Sequence, residues 1–489
     1  MTLNPARALV LVGVVLSLGS CATNGAKSRT AAGTVSPAES DEAAPGALWR
    51  HDWTVHERTG LDALDFFGFV EAGTRVQLEQ AVGGGPDLWF EPQAAFDGNH
   101  ARELDRHGVR RVVVEFDHAE EPEEVIGWLA LIEGLECLRL ELRFPEPIER
   151  TYDLAGLSSC RELRWLDLSG SYSIQSLAFL GSLPALRVLS LSGAGFEAAE
   201  LVHMAGAVGL RQLDLSGTNV RDADLAALAT LQGLEVLDLG TTEVRGEGLV
   251  GLANAGVPLR ALSLKSNVFG ERSLAAVGRL SRLESLDLSH ARGELRLAPL
   301  AELEVLERLN LCCTVGVDDD ALEVLAGARF AARLVGLDLT GARISQRGIS
   351  AVTSTMTRLH DLNLKGCSWL PAASLAGLSA LGRLETLDVS GTKIDGRALG
   401  AIATSLRSLS ELDLSNCSAL GARDLLALTD LSSLERLDLS TTRVDDAVLV
   451  ALSGSQTLRE VTLYDCELVT PRGLAALEAR SIEIRGREP

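Results

Sequence analysis

Aromatic residues are scarce in this chain of 489 residues: Trp, Tyr and Phe make up 4% of it, against 46% hydrophobic residues overall. Leucine, alanine and valine must therefore fill any core. Catalytic signatures are also lacking. There is no H-x-x-x-H pair, no C-x-x-C, no phosphate-cradling P-loop and no G-x-S-x-G elbow. The eight His are scattered, five of them before residue 120, without metal-ligand spacing, and Gly83-Gly84-Gly85 runs into Pro86 as a turn rather than into a helix. Positive charge is short as well. With 45 Lys and Arg against 67 Asp and Glu, the net charge is −22. That argues against a nucleic-acid ligand and against electrostatic attraction to anionic lipid. It fits either plain solubility or a cationic partner.

What the chain does have is a repeat. Thirteen times between Leu163 and Leu463 it carries L-x-x-L-x-L or a close variant, at spacings of 23–28 residues. A period of this size means a stack of supersecondary units, none able to bury its apolar face alone. Counting from the first Leu, positions 4 and 6 alternate, so both point to one side of a short strand. Position 9 is small or polar: Thr218, Thr242, Asn267, Thr314, Cys367, Thr392, Cys417, Thr442 and Cys466. A helix is then predicted, with Asp222, Asp319 and Asp446 capping its free N–H groups ahead of inward leucines.

These units resemble the leucine-rich repeat family. The Cys-bearing copies (LNLKGCSWL, LDLSNCSAL, VTLYDCELV) are similar to its cysteine-containing subclass, and the Thr copies (LDLSGTNV, LDLSTTRV) to bacterial members. The resemblance covers residues 163–484, with weaker copies at Val109 and Leu135. It implies an α/β solenoid, with a curved parallel sheet on the concave side, helices on the convex side and an N-terminal cap. Fifteen or sixteen strands at about 4.8 Å predict an inner sheet of roughly 75 Å.

The ends divide the chain further. Arg7 precedes an apolar run from Ala8 to Leu18, too short for a committed membrane span of roughly 20 residues. It ends in Leu18-Gly19-Ser20-Cys21, which resembles the lipobox of bacterial lipoproteins. The resemblance implies a signal peptide over 1–20, cleavage before Cys21, acylation there, and anchoring in the cell envelope, with the outer membrane favoured by Ala22. Residues 21–47 read as a lipidated flexible tether, residues 48–108 as a cap rich in Trp and Phe, and residues 109–489 as the solenoid.

Cysteine offers little chemistry. Cys367, Cys417 and Cys466 recur in alternate units about 10 Å apart, too far for disulfides. They are expected to fill the turn after the strand as Thr and Asn do. Cys312-Cys313 is either a strained vicinal disulfide or a pair of free thiols. No metal and no cofactor is expected.

One constellation stands out. Position 5 is Asp in eight of thirteen units: Asp167, Asp214, Asp238, Asp287, Asp338, Asp388, Asp413 and Asp438, with Asn310 and Asn363 in two more. Lying between two buried leucines, it is expected to point outward from the concave face, so that Asp413→Ala should cost little. Position 2 is Arg164, Arg187, Arg211 and Arg260 early, offering Asp–Arg pairs, then Glu284, Glu307, Glu385 and Glu435. The patch of Asp388, Asp413 and Asp438 with Glu385, Glu411 and Glu435 is therefore the candidate binding surface. The alternative is that L-D-L-S is family consensus, with Asp bonding nearby loop groups. The leading expectation is a non-catalytic, lipid-anchored extracytoplasmic protein that binds a protein or peptide, possibly one of positive charge, and no nucleic acid. Its rivals are a scaffold for envelope components and, remotely, an enzyme with its site in residues 48–108.

Overall fold

A computed structural model of the chain describes residues 89–90, 98–106, 110–115, 122–142, 151–270 and 272–486. Cys21, the tether 21–47 and all of the cap segment except residues 89–90 and 98–106 lie outside the described residues. The chain divides into Met1–Ala43 and Ala44–Pro489, and every described residue belongs to the second unit.

Each L-x-x-L-x-L phrase forms a strand of three residues, such as Gln212–Asp214 or Glu411–Asp413. Three residues suffice because each strand is paired on both sides. Seventeen strands form one parallel sheet in chain order, from Trp89–Phe90 to Glu483–Arg485, while Val268–Phe269 and Arg292–Gly293 pair separately. The sheet thus reaches back into the segment read as a cap, where Ala101 and Leu104 of the helix Gly98–Arg106 join the core. Equivalent residues stand directly opposite one another. Leu387, Leu412 and Leu437 form one row, and Asp388, Asp413 and Asp438 the next. Position 4 and position 6 leucines are sealed: Leu213 and Leu215 are 0% exposed, Leu412 1% and Leu414 0%. Burying a Leu side chain contributes about 1.5–3 kcal/mol, which is how so short a unit holds.

The return path varies with unit length. The units starting at Leu163, Leu186 and Leu210 span 23 or 24 residues and return through 3-10 helices: Ala178–Ser182, Ala198–Gly206 and Asp224–Thr230. Units of 25 residues starting at Leu334 and Leu384 return through the α-helices Gln346–Thr355 and Gly396–Ser405. A 3-10 helix rises about 2.0 Å per residue against 1.5 Å for an α-helix, so it covers the same distance with fewer residues.

The helix caps differ from expectation. Asp222, Asp319 and Asp446 do not cap their own helices; each reaches the N-terminus of the next unit's helix. Asp222 accepts from the N–H groups of Arg245 (2.9 Å) and Gly248 (2.6 Å), Asp319 from Ser345 (2.8 Å) and Gly348 (3.0 Å), and Asp446 from Thr470 (2.8 Å). The carboxylate comes so close that a Cβ on Gly348 would lie 2.6 Å from an Asp319 oxygen, which is why that position is glycine. Among the described residues, no helix is long and apolar enough to cross a membrane.

Candidate functional site on the sheet face

The outward side of the sheet carries positions 3 and 5 of every strand. The position 5 side chains turn back on their own strands instead of standing out into solvent, and six of the ten are buried while Asp214, Asp238, Asn363 and Asp438 stay partly exposed. In all ten Asp and Asn units the side-chain oxygen bends back and accepts the backbone N–H two residues on, at 2.7–2.9 Å. This Asx turn leads into position 8, which has a positive φ in all thirteen units, from Gly170 to Asp465. The position 8 N–H donates to the next unit's position 7 carbonyl, as from Gly391 to Ser415 (2.9 Å), so the turns are laced to one another beyond the strands.

The expectation of an outward, solvated acidic track is corrected on this point. Asp388 is 1% exposed, Asp287 2%, Asp338 3% and Asp413 5%. Each carboxylate is folded onto its own turn, and neighbouring rows about 4.8 Å away cover both flanks. Desolvation is the main electrostatic result. Burial, then the adjacent Asp413 charge, raises the Asp388 pKa to about 7. Burial likewise pushes Asp214 up, and Asp238 well up.

The six candidate residues therefore separate. Asp388, Glu411 and Asp413 are covered. Glu411 is ion-paired with Arg436 of the next strand, and Glu435 lies 3.6 Å from Arg459. Glu385, Glu435 and Asp438 are half-buried and reach the surface. In the first half of the sheet, two position 2 arginines pair with position 2 glutamates rather than with the Asp row, while Arg187 donates to the Pro184 and Leu186 carbonyls. Arg211 meets Glu235, and Arg260 makes two 3.0 Å bonds to Glu284. One Arg–Asp pair does form, Arg139–Asp167 at 3.5 Å. Glu235 interrupts the run of position 2 arginines in the sequence, and the strand register sets it beside Arg211. Along position 3 the residues are uncharged from Val188 to Ser285, and charged at Arg308, Asp361, Glu411, Arg436 and Glu460.

All seven described cysteines are free thiols, including Cys312 and Cys313. The Cys367, Cys417 and Cys466 thiols donate to the carbonyls of Leu339 (3.1 Å), Val389 (3.3 Å) and Leu439 (3.3 Å) of the preceding units. Thr392 and Thr442 serve Val389 and Leu439 from within their own units. Burial pushes the Cys367 thiol up to about 12 and Cys417 to about 11, so both stay protonated. One group of soft ligand atoms does gather: His290, Cys312 and Cys313, all half-buried and mutually within 4.8 Å.

The sequence model described as "Leucine-rich repeat region" matches residues 162–484. Among solved structures, a leucine-rich repeat protein of Leptospira interrogans aligns at 16% identity and a TM-score of 0.50, over 84% of this chain and 98% of that one. An internalin of Listeria monocytogenes aligns at 17% identity and a TM-score of 0.38, over 84% and 95%. The ectodomain of the Arabidopsis thaliana receptor kinase GASSHO1/SCHENGEN3, solved with CASPARIAN STRIP INTEGRITY FACTOR 2, aligns at 16% and 0.42, over 81% and 51%. No curated protein matches the chain. At 16% identity the likeness to the Leptospira protein shows the fold alone.

Proposed function

Because the chain belongs to the leucine-rich repeat family, we propose that it is a non-catalytic binding protein that recognises a protein or peptide on the concave face of its sheet. The observation that carries this reading is the unbroken run of seventeen parallel strands. At about 4.8 Å per strand it offers a pre-formed surface roughly 80 Å long. Recognition by such a surface loses little entropy on ordering and involves no covalent step. The partner is proposed to be cationic, steered by the net charge of −22 and contacted by the half-exposed Glu385, Glu435 and Asp438. Asp388, Glu411 and Asp413 then support that surface from behind rather than touch the partner.

The protein is further proposed to work outside the cytoplasm, anchored through acylated Cys21, with the outer membrane favoured. The L-G-S-C phrase supports this. A scaffolding role is the second reading. It is favoured by the exposed apolar side chains of the helical side, Val202 at 62%, Val450 at 47% and Leu426 at 43% exposure.

Capture from envelope extracts with a rising salt elution separates the two. Salt-sensitive retention of one basic protein supports the sheet face, whereas salt-resistant retention of several components supports the helical side. Metabolic labelling with fatty acid tests the anchor: Cys21→Ser must abolish incorporation, and persisting label removes the lipoprotein assignment.

A further inference from the structure

We propose that His290, Cys312 and Cys313 form a binding site for one zinc ion, with a fourth coordination position open to solvent.

His290 and Cys313 occupy position 8 of consecutive units, and both have left-handed backbones, φ +57° and +55°. The His290 N–H donates to the Cys312 carbonyl at 2.8 Å, and the Cys313 N–H to Thr340 at 2.7 Å, so both turns are held by the same ladder. The repeat therefore stacks the imidazole directly against the next unit's turn, where Cys312 supplies a second sulfur from position 7. Zinc takes sulfur at about 2.3 Å and nitrogen at about 2.0–2.1 Å in a tetrahedron, which places its ligand atoms roughly 3.4–3.8 Å apart. The two sulfurs are 3.5 Å apart, within that range. The imidazole nitrogen lies within 4.8 Å of both, so about an ångström of side-chain movement closes the set.

The donor set is specific. A neutral imidazole and two thiolates suit zinc and exclude magnesium and calcium, which take oxygen. No other unit places His or Cys at position 7 or 8; Ser, Gly and Thr predominate there. Three protein ligands and partial exposure leave room for a water or for a side chain of a bound partner. The site lies where the strands end, on the rim of the sheet face, and does not depend on that face being the recognition surface.

Cobalt substitution tests the proposal. The full chain, carrying Cys21→Ser to remove that thiol, is reduced, stripped of metal and titrated with Co²⁺. The expected result is a thiolate-to-cobalt charge-transfer band and tetrahedral d–d bands that saturate at one ion per chain and are displaced by Zn²⁺. His290→Asn, Cys312→Ser and Cys313→Ser should each weaken binding by more than the roughly 10–100-fold typical of removing a group behind a ligand. Cys466→Ser, a half-buried thiol elsewhere in the repeat, should change nothing. Circular dichroism verifies that each variant is folded, and Asn suits the left-handed position of His290. Bands that survive in folded His290→Asn and in Cys312→Ser/Cys313→Ser overturn the proposal. So does a fully reduced parent that gives no bands, or a Cys312–Cys313 disulfide found in protein isolated from its source without reductant.

Discussion

The units starting at Leu163, Leu186 and Leu210 and those from Leu334 onward build the same strand and different return paths. In both regions the strand holds buried leucines at positions 4 and 6 and, in most units, an Asx turn from position 5. On the other side, the earlier units return through 3-10 segments whose N-cap residues, Leu177, Glu197 and Ala223, make no side-chain cap bond of their own. Four of the later α-helices follow Ser345, Asp395, Asp445 and Thr470, each accepting a backbone N–H from its own first turn, while the short helices Ala372–Leu375 and Ala422–Leu425 run on into 3-10 turns. The sheet side is constrained by register with both neighbours, so it cannot vary. The helical side has only to span a distance, and its helix type differs from unit to unit. A partner bound on the sheet would therefore meet a nearly uniform backbone and be discriminated by side chains alone.

The largest test of this contrast concerns what the regions share. Leu213→Ala and Leu412→Ala should each cost about 2–5 kcal/mol, since both side chains are sealed between layers. Denaturant unfolding of the two variants checks it; a loss under about 1 kcal/mol in either half would mean that the rows are not equivalent. Next comes the turn. Asp413→Ala should cost about 1–3 kcal/mol, because it leaves the Ser415 N–H without its 2.7 Å acceptor, while Asp413→Asn should be nearly neutral. Asn310 and Asn363 already make the same bond in their own units. The smallest effect lies on the helical side. Asp395→Ala should cost about 1 kcal/mol through loss of its cap to Ala398, and Glu197→Ala, at the start of a 3-10 segment without such a bond, should cost almost nothing. Equal losses at the two positions would erase the distinction between the regions.

The leucine rows, the strand direction and the alternation of faces were readable from the period alone, because burial forces them. The role of position 5 was not. Its hydrogen bond depends on a left-handed residue three places later, which is Gly in six units but Thr, Ser, His, Cys, Asn or Asp in the other seven. That mixture conceals a backbone requirement which a run of glycines would have announced. Asp222, Asp319 and Asp446 were misplaced for a related reason: a cap serving the next unit lies more than twenty residues from its N–H groups. His290 and Cys312 are separated likewise, and only the superposition of repeat positions brings them together.

The central claim is that the acidic row exists to form turns and carries its charge at a cost. Burial and the Asp413 charge raise the Asp388 pKa to about 7, above the roughly 3.9 of an unfolded Asp. The folded chain therefore keeps a proton that the unfolded chain has lost, and this contribution to stability falls as pH rises from about 4 to about 7. The decisive measurement is denaturant unfolding of the Asp388/Asp413/Asp438→Asn triple variant and its Ala counterpart across that range. The account predicts that the Asn triple is at least as stable as the parent at neutral pH, with a flatter profile, and that the Ala triple is clearly destabilised. An Asn triple as unstable as the Ala triple, or one that keeps the parent's pH dependence, would contradict it.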